Sequence, residues 1–179
     1  MSSRFNLAMA LVLISLFPGG EAVANNVADV EESNRALVRD RFDAWRAGSG
    51  SPFDLLAENA KWTIAGKSLA SGTYESREAF MTGVIRPFNA RMRVALKPTV
   101  TRIICEGDQV VVLFDAQGTA RDGKNYVNSY AWFLTLRDSK IVAATAFFDS
   151  LAFDDLWARL AADGIGLESH APATTSAGG

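Results

Sequence analysis

Residues 108–150 read DQVVVLFDAQGTARDGKNYVNSYAWFLTLRDSKIVAATAFFDS, and the fold turns on how this stretch is divided. Three long strands fit it in succession. The first spans Gln109 to Ala120, and Arg121-Asp122-Gly123-Lys124 turns the chain. Asp-Gly is a strong hairpin signal, because glycine takes the positive φ that such turns demand. The second spans Asn125 to Arg137, and Asp138-Ser139 turns it back into a third, Lys140 to Asp149. Typical strands have five or six residues. Strands this long must curve, and a curved sheet has a concave face that wraps a helix or a ligand.

Working towards the amino terminus, Val94 to Cys105 is a fourth long strand, preceded by a helix from Arg77 to Phe88 that Ser76 caps. Its apolar face is Ala79, Phe80, Val84 and Ile85, and Pro87 disturbs its end. Pro98 marks the strand as an edge or a bulge. Gly66 to Tyr74 reads as a loop, Lys61 to Ala65 as a short strand, and Pro52 to Glu58 as a short helix. An amphipathic helix spans roughly Val30 to Ala47, with Asp29 and Glu32 as a capping box and Gly48-Ser49-Gly50 as its stop. Leu37, Val38, Phe42 and Trp45 form its apolar face. After Asp149 the chain is helical again, through Leu156, Trp157 and Leu160. Helices precede strands, so the class is α+β: a cone-like barrel of strongly curved, mostly antiparallel sheet wrapped around N-terminal helices.

The ends read differently. Arg4, the apolar run Leu7 to Phe17 and the small-residue site Ala22-Val23-Ala24 have the pattern of an export signal. Residues 1–24 are therefore expected to be removed after Ala24, which places the protein in the periplasm or outside the cell, with no stable membrane insertion. Residues 25–162 form the domain, and 163–179, rich in Gly, Ala, Ser, Thr and Pro, are expected to be a disordered tail.

Composition narrows the chemistry. The 179 residues carry 18 basic and 20 acidic side chains, and a net charge of -2 argues against nucleic acid as a partner. One cysteine, Cys105, and one histidine, His170, argue against thiolate or imidazole metal sites and against Ser-His or Cys-His catalysis. No metal or cofactor is implied. Acid–base work would fall to carboxylates and tyrosines.

Several segments resemble the SnoaL-like branch of the nuclear transport factor 2-like superfamily. They are DAW at Asp43–Trp45, ENAKWTIAG at Glu58–Gly66, SGTYESREAF at Ser71–Phe80, EGDQVVV at Glu106–Val112, and the run from Asp122 to Asp149. The resemblance covers about residues 30 to 160. It implies a cystatin-like α+β roll with a small-molecule pocket. The superfamily includes ketosteroid isomerases and limonene epoxide hydrolases, but their carboxylates are not reproduced. Where the isomerase base would lie, the chain reads Lys61-Trp62-Thr63-Ile64-Ala65. The aspartate of the last strand aligns with Ala146, and of the Arg-x-Asp pair only Asp115 has any counterpart.

Each candidate has two readings. Asp149 is a general base in an apolar setting, or the N-cap of the last helix. Asp115 faces the cone or solvent, and parity does not decide, because both faces of its strand are apolar. Tyr130 donates to a ligand carbonyl with Asn128 beside it, or both belong to an aromatic ladder with Tyr126 and Trp132. Trp45, Trp62 and Phe147 are cavity walls or plain core, and Tyr74 rims the opening from its loop. Arg86 steers an anionic substrate or is an ordinary exposed arginine. Two functions follow: a metal-free acid–base isomerase, hydrolase or cyclase using Asp149, Asp115 and Tyr130, or a non-catalytic module for ligand binding or dimerisation. A small apolar ligand is expected in either case. A homodimer is expected too, through apolar side chains on the outer sheet face.

Overall fold

A computed structural model describes residues 19–160. Residues 1–18 and 161–179, with most of the expected export signal and the expected tail, lie outside the described residues. The elements are α1 (Gly19–Ala47), a 3-10 turn (Pro52–Leu55), β1 (Leu56–Ile64), β2 (Gly72–Tyr74), α2 (Arg77–Phe80), a π-helical turn (Met81–Ile85) and α3 (Arg86–Ala90). They continue with β3 (Met92–Glu106), β4 (Gln109–Ala120), β5 (Asn125–Arg137), β6 (Lys140–Phe148) and α4 (Ser150–Arg159). One six-stranded sheet runs β2-β1-β6-β5-β4-β3, open at both edges. All neighbours are antiparallel except β1 and β6, which are parallel.

The predicted β4 and β5 match the structure, and β6 is one residue shorter. Their hairpins follow from local chemistry. Gly123 takes φ 87° in the first turn, and Asp138 and Ser139 both take positive φ in the second. A two-residue turn with both φ positive matches the right-handed twist of its flanking strands.

Several other boundaries differ from the prediction, β3 among them, which spans Met92–Glu106 and not Val94–Cys105. Helix α1 starts at Gly19, so Asp29 is an interior residue and caps nothing. No proline or glycine between Gly20 and Gly48 would stop the helix. It does end where predicted. Gly48 has φ 77°, and Ser49 N–H donates to Ala44 O at 2.9 Å. The helix at Pro52 is a single turn, closed by a capping box between Ser51 and Asp54, and the chain is already a strand at Leu56. The parallel partner β6 provides ladder bonds there, which override local helix preference. Part of the predicted loop, Gly72–Tyr74, is the edge strand β2. The predicted helix from Arg77 instead runs to Ala90 through a π-helical turn, in which Arg86 N–H donates to Met81 O. Pro87 follows directly; it has no N–H to donate, and its ring crowds the preceding turn.

The core is aromatic. Val38 and Phe42 of α1 lie buried against the concave face, and Phe42 meets Phe114 edge-on at 4.9 Å. Arg35 Nη1 donates to Ile103 O at 2.7 Å, and Glu31 accepts from Gly107 N–H at 2.8 Å. These bonds tie α1 to the end of the β3–β4 hairpin.

Candidate functional site

On strand β5, Tyr126, Asn128, Tyr130 and Trp132 point inward by period-two alternation. Helix α1 brings Trp45 to the same space, and β1 brings Trp62. Helices α2 and α3 and the π-helical turn cover it with Phe80, Val84, Ile85 and Phe88. Between them lies a cavity of about 490 Å³. This volume is in the usual range for small-molecule sites, as is an apolar lining with few polar groups. Among the described residues that line it there is no carboxylate, and the polar side chains are Ser51, Asn89, Arg93 and Tyr130.

The rings form a continuous wall. Trp132 stacks on Trp45 at 6.0 Å and 16°, and meets Trp62 edge-on at 5.0 Å. Trp62 stacks on Phe80 at 4.4 Å, and Tyr130 on Phe114 at 4.7 Å. Offset and edge-on rings at these separations are favourable beyond the area they bury.

The hydroxyl of Tyr130 ends a short hydrogen-bonded chain. Asn128 Nδ2 donates to Tyr126 Oη at 2.9 Å, and the Tyr126 and Tyr130 hydroxyls are 3.0 Å apart. Burial raises Tyr130 well above its ordinary pKa of 10, and raises Tyr126 in the same direction. Both phenols are therefore protonated at neutral pH. Tyr130 is equipped to donate a hydrogen bond, and as a base it is disarmed.

The other expected residues fall in varied places. Trp45 and Trp62 line the cavity. Asn128 is buried beside it as a clamp: its side chain exchanges two hydrogen bonds with the backbone of Asp149, at 2.9 and 3.0 Å, joining β5 to the start of α4. Asp149 caps α4, accepting from Leu151 N–H at 2.9 Å and Ala152 N–H at 3.4 Å. Asp115 is exposed on the outer sheet face, where Ser129 Oγ donates to it at 2.6 Å. Val110, Val112, Phe114 and Ala116 are the buried set of β4, so the opposite parity puts Asp115 outside. Tyr74 lies behind the cavity wall. Its hydroxyl donates to Ala70 O at 2.9 Å, and its ring lies so close to Gly83 that an added Cβ would come within 2.9 Å of it. Tyr74 thus braces the π-helical turn. Phe147 as a cavity wall is corrected: it is 47% exposed on the outer face, and its neighbours in sequence, Ala146 and Phe148, line the cavity instead. Arg86 is held at two points by Glu78, at 2.7 and 3.1 Å, and does not reach the cavity. The Cys105 thiol is pushed up by burial, which disfavours the thiolate.

Sequence reasoning did not find Phe53, Phe88, Asn89, Arg93 and Leu96, all of which line the cavity. The apolar face of the helix from Arg77 was the available signal for the lid. Nothing in the periodicity of β3 signals Arg93. Among the described residues no group of three or more His, Cys, Asp or Glu side chains is placed to hold a metal ion.

The model of the SnoaL-like domain family matches residues 30–144. No curated protein matches the chain. Among solved structures, Bal32a from a soil-derived mobile gene cassette is similar at 22% identity and TM-score 0.58, over 71% of this chain and 98% of its own. A nuclear transport factor 2-like protein of unknown function from Burkholderia pseudomallei is similar at 19% and 0.57, over 69% and 95%. TerC, co-crystallised with polyporic acid, is similar at 19% and 0.56, over 69% and 96%. At these identities the likeness is one of fold.

Proposed function

The chain belongs to the SnoaL-like domain family, and we propose that it binds a small, ring-containing apolar molecule bearing a hydrogen-bond acceptor. One observation carries this reading: an aromatic cavity of about 490 Å³ with no carboxylate among its described lining residues and one phenol, the protonated Tyr130, among its walls. Either hydroxyl can donate across the Tyr126–Tyr130 pair; a ligand acceptor at Tyr130 is met when Tyr126 Oη, which accepts from Asn128, gives its own proton to Tyr130 Oη. That leaves the Tyr130 proton for a ligand oxygen. The ligand's rings would lie against Trp45, Trp62 and Trp132.

The isomerase, hydrolase or cyclase alternative keeps one of its three expected groups at the cavity. Tyr130 can polarise a carbonyl there. Asp149 is engaged as a cap and Asp115 is turned to solvent, so neither supports the role of base. Binding is therefore the reading with more support.

The test uses 2-acetonaphthone and its deoxygenated analogue 2-ethylnaphthalene, titrated against the quenching of tryptophan fluorescence. The wild-type protein should prefer the ketone by roughly three- to tenfold, the worth of one hydrogen bond of about 1 kcal/mol. Tyr130→Phe should abolish that preference and leave ethylnaphthalene binding in place. A preference that survives in Tyr130→Phe would remove Tyr130 from the site. Native mass spectrometry of protein recovered from its host would then identify the retained compound.

We also propose that the outer sheet face carries a second copy of the chain. Phe133 and Phe147 are 45% and 47% exposed and meet edge-on at 5.8 Å, with Val111, Leu113 and Ile104 alongside. Arg102 and Asp115 give the rim both charge signs, so it can face its own copy with charges paired. Exposed apolar patches of this kind mark interaction surfaces. Light scattering at micromolar concentration should give about twice the 19.3 kDa of the full chain, or proportionally less if the leader is removed. A species of monomer mass alone would refute the dimer.

A further inference from the structure

We infer that the cavity takes an apolar acid, and that Arg93 is the residue that selects its anionic group. This rests on the reading of the cavity as a binding site and adds the charge of what it binds. From Ala79 to Cys105 the chain holds five cationic side chains, Arg86, Arg91, Arg93, Lys97 and Arg102, and no acidic one. Arg86 is engaged by Glu78. Arg91 is buried beneath Trp157. Lys97 lines a separate groove with Gln117, Asn125 and Val127, and Arg102 pairs with Leu113 on the outer face. Arg93 is the charged residue among the described residues that line the cavity.

Its position there is built by the backbone. Regular alternation would send Met92 and Arg93 to opposite faces. Two of the three register shifts of the β3–β4 ladder fall here, between Met92 and Val94 and between Val94 and Lys97. Met92 and Arg93 consequently both line the cavity, as do Ala95 and Leu96, while Val94 between them is 46% exposed. Bulges re-aim side chains in this way beside functional sites. The double bulge also requires a glycine opposite. A Cβ at Gly118 would lie 2.8 Å from Val94 O and 3.3 Å from Ala95 O, and backbone carbonyls cannot swing aside as a side-chain end does.

The site therefore has three parts. Aromatic walls accept the apolar body, the Tyr130 hydroxyl meets an acceptor oxygen, and Arg93, exposed and at the rim, meets a carboxylate or sulfonate. Asn89 lines the same cavity and offers an amide donor. With no carboxylate among the described lining residues, none of them repels an anionic ligand.

The test compares two dyes of nearly the same shape on the full chain: anionic 1-anilinonaphthalene-8-sulfonate and neutral N-phenyl-1-naphthylamine. Both brighten on leaving water, and displacement by 2-acetonaphthone confirms that they occupy the cavity. At low salt, Arg93→Gln should weaken the sulfonate roughly fivefold, as expected for a partly exposed ion pair, and leave the neutral dye within twofold. Arg93→Lys should restore part of the sulfonate affinity. Raising the salt should weaken the sulfonate in the wild type and have little effect in Arg93→Gln. Equal sulfonate affinity in wild type and Arg93→Gln, with the neutral dye still bound and displaceable, would overturn the role of Arg93 and leave the binding site standing. Failure of both dyes to enter the cavity would overturn the binding site and this inference together.

Discussion

Trp132→Ala should lower the free energy of unfolding by about 4 kcal/mol, the upper part of the range for removing a large buried ring. Trp132 is 5% exposed and lies within ring contact of Phe42, Trp45, Phe53, Trp62, Phe114 and Tyr130. It is the point where α1, the 3-10 turn, β1 and β4 meet β5. Truncation removes its burial and, in part, the support of each neighbouring ring. Those neighbours lie on separate elements held by their own backbone bonds, so they cannot close the hole. Urea unfolding should show the midpoint falling at constant slope. Affinity for 2-acetonaphthone should fall as well, because the stacked surface shared with Trp45 goes with it. A loss below about 1 kcal/mol would mean that these rings do not act as one packed core.

Arg91→Ala should cost about 3 kcal/mol, an effect for which the position of the residue in the chain gives no warning. Arg91 is 2% exposed, and among the described residues no carboxylate lies within ion-pair distance of it. Burial pulls its pKa below the usual arginine value. A buried cation of this kind needs other compensation. Nη1 donates to Pro87 O at 2.8 Å, Nη2 donates to Trp157 O at 3.4 Å, and the guanidinium lies 4.1 Å over the Trp157 ring. Both carbonyls belong to the last turns of helices, α3 and α4, where carbonyls lack intrahelical partners and carry partial negative charge. Arg91 thus pins two helix ends together, and α4 in turn holds Phe153 against the cavity. Alanine would strand the carbonyls and leave a hole. Arg91→Met would strand them and fill most of the space, so it should cost about half as much. For a domain of this size, thermal unfolding should fall by roughly 10 °C in Arg91→Ala. If Arg91→Met matched the wild type, hydrogen bonding to the helix ends would have no net worth, and the residue would act by volume alone.

Strands β4 and β5 and the hairpin turns that bound them were legible from local chemistry. Alternation, Asp122-Gly123 and Asp138-Ser139 are signals carried within a few residues. The same holds for the stop of α1 at Gly48 and for the capping of α4 by Asp149, because a turn and a cap are short-range objects. That Tyr126, Asn128, Tyr130 and Trp132 share one face was legible for the same reason: on an unbroken strand, parity is arithmetic, and the structure turns that face inward.

Which face met the core was another matter wherever both faces were apolar. Val111 and Leu113 lie on the outer side of β4, so composition could not tell that Asp115 shares it. Phe147 and Phe148 differ by one position, and only the pairing of β6 with β5 and β1 assigns one to solvent and the other to the cavity. Strand β1 begins at Leu56, paired with Ile141 of β6 far along the chain, and no local signal carries that partner. The two register shifts at the start of β3 arise from its fit against β4 and Gly118, and they bring Arg93 to the rim. Short-range rules therefore accounted for elements and turns. The side chains that line the cavity depended on register, and register is a property of two strands together, which a single stretch of chain does not carry.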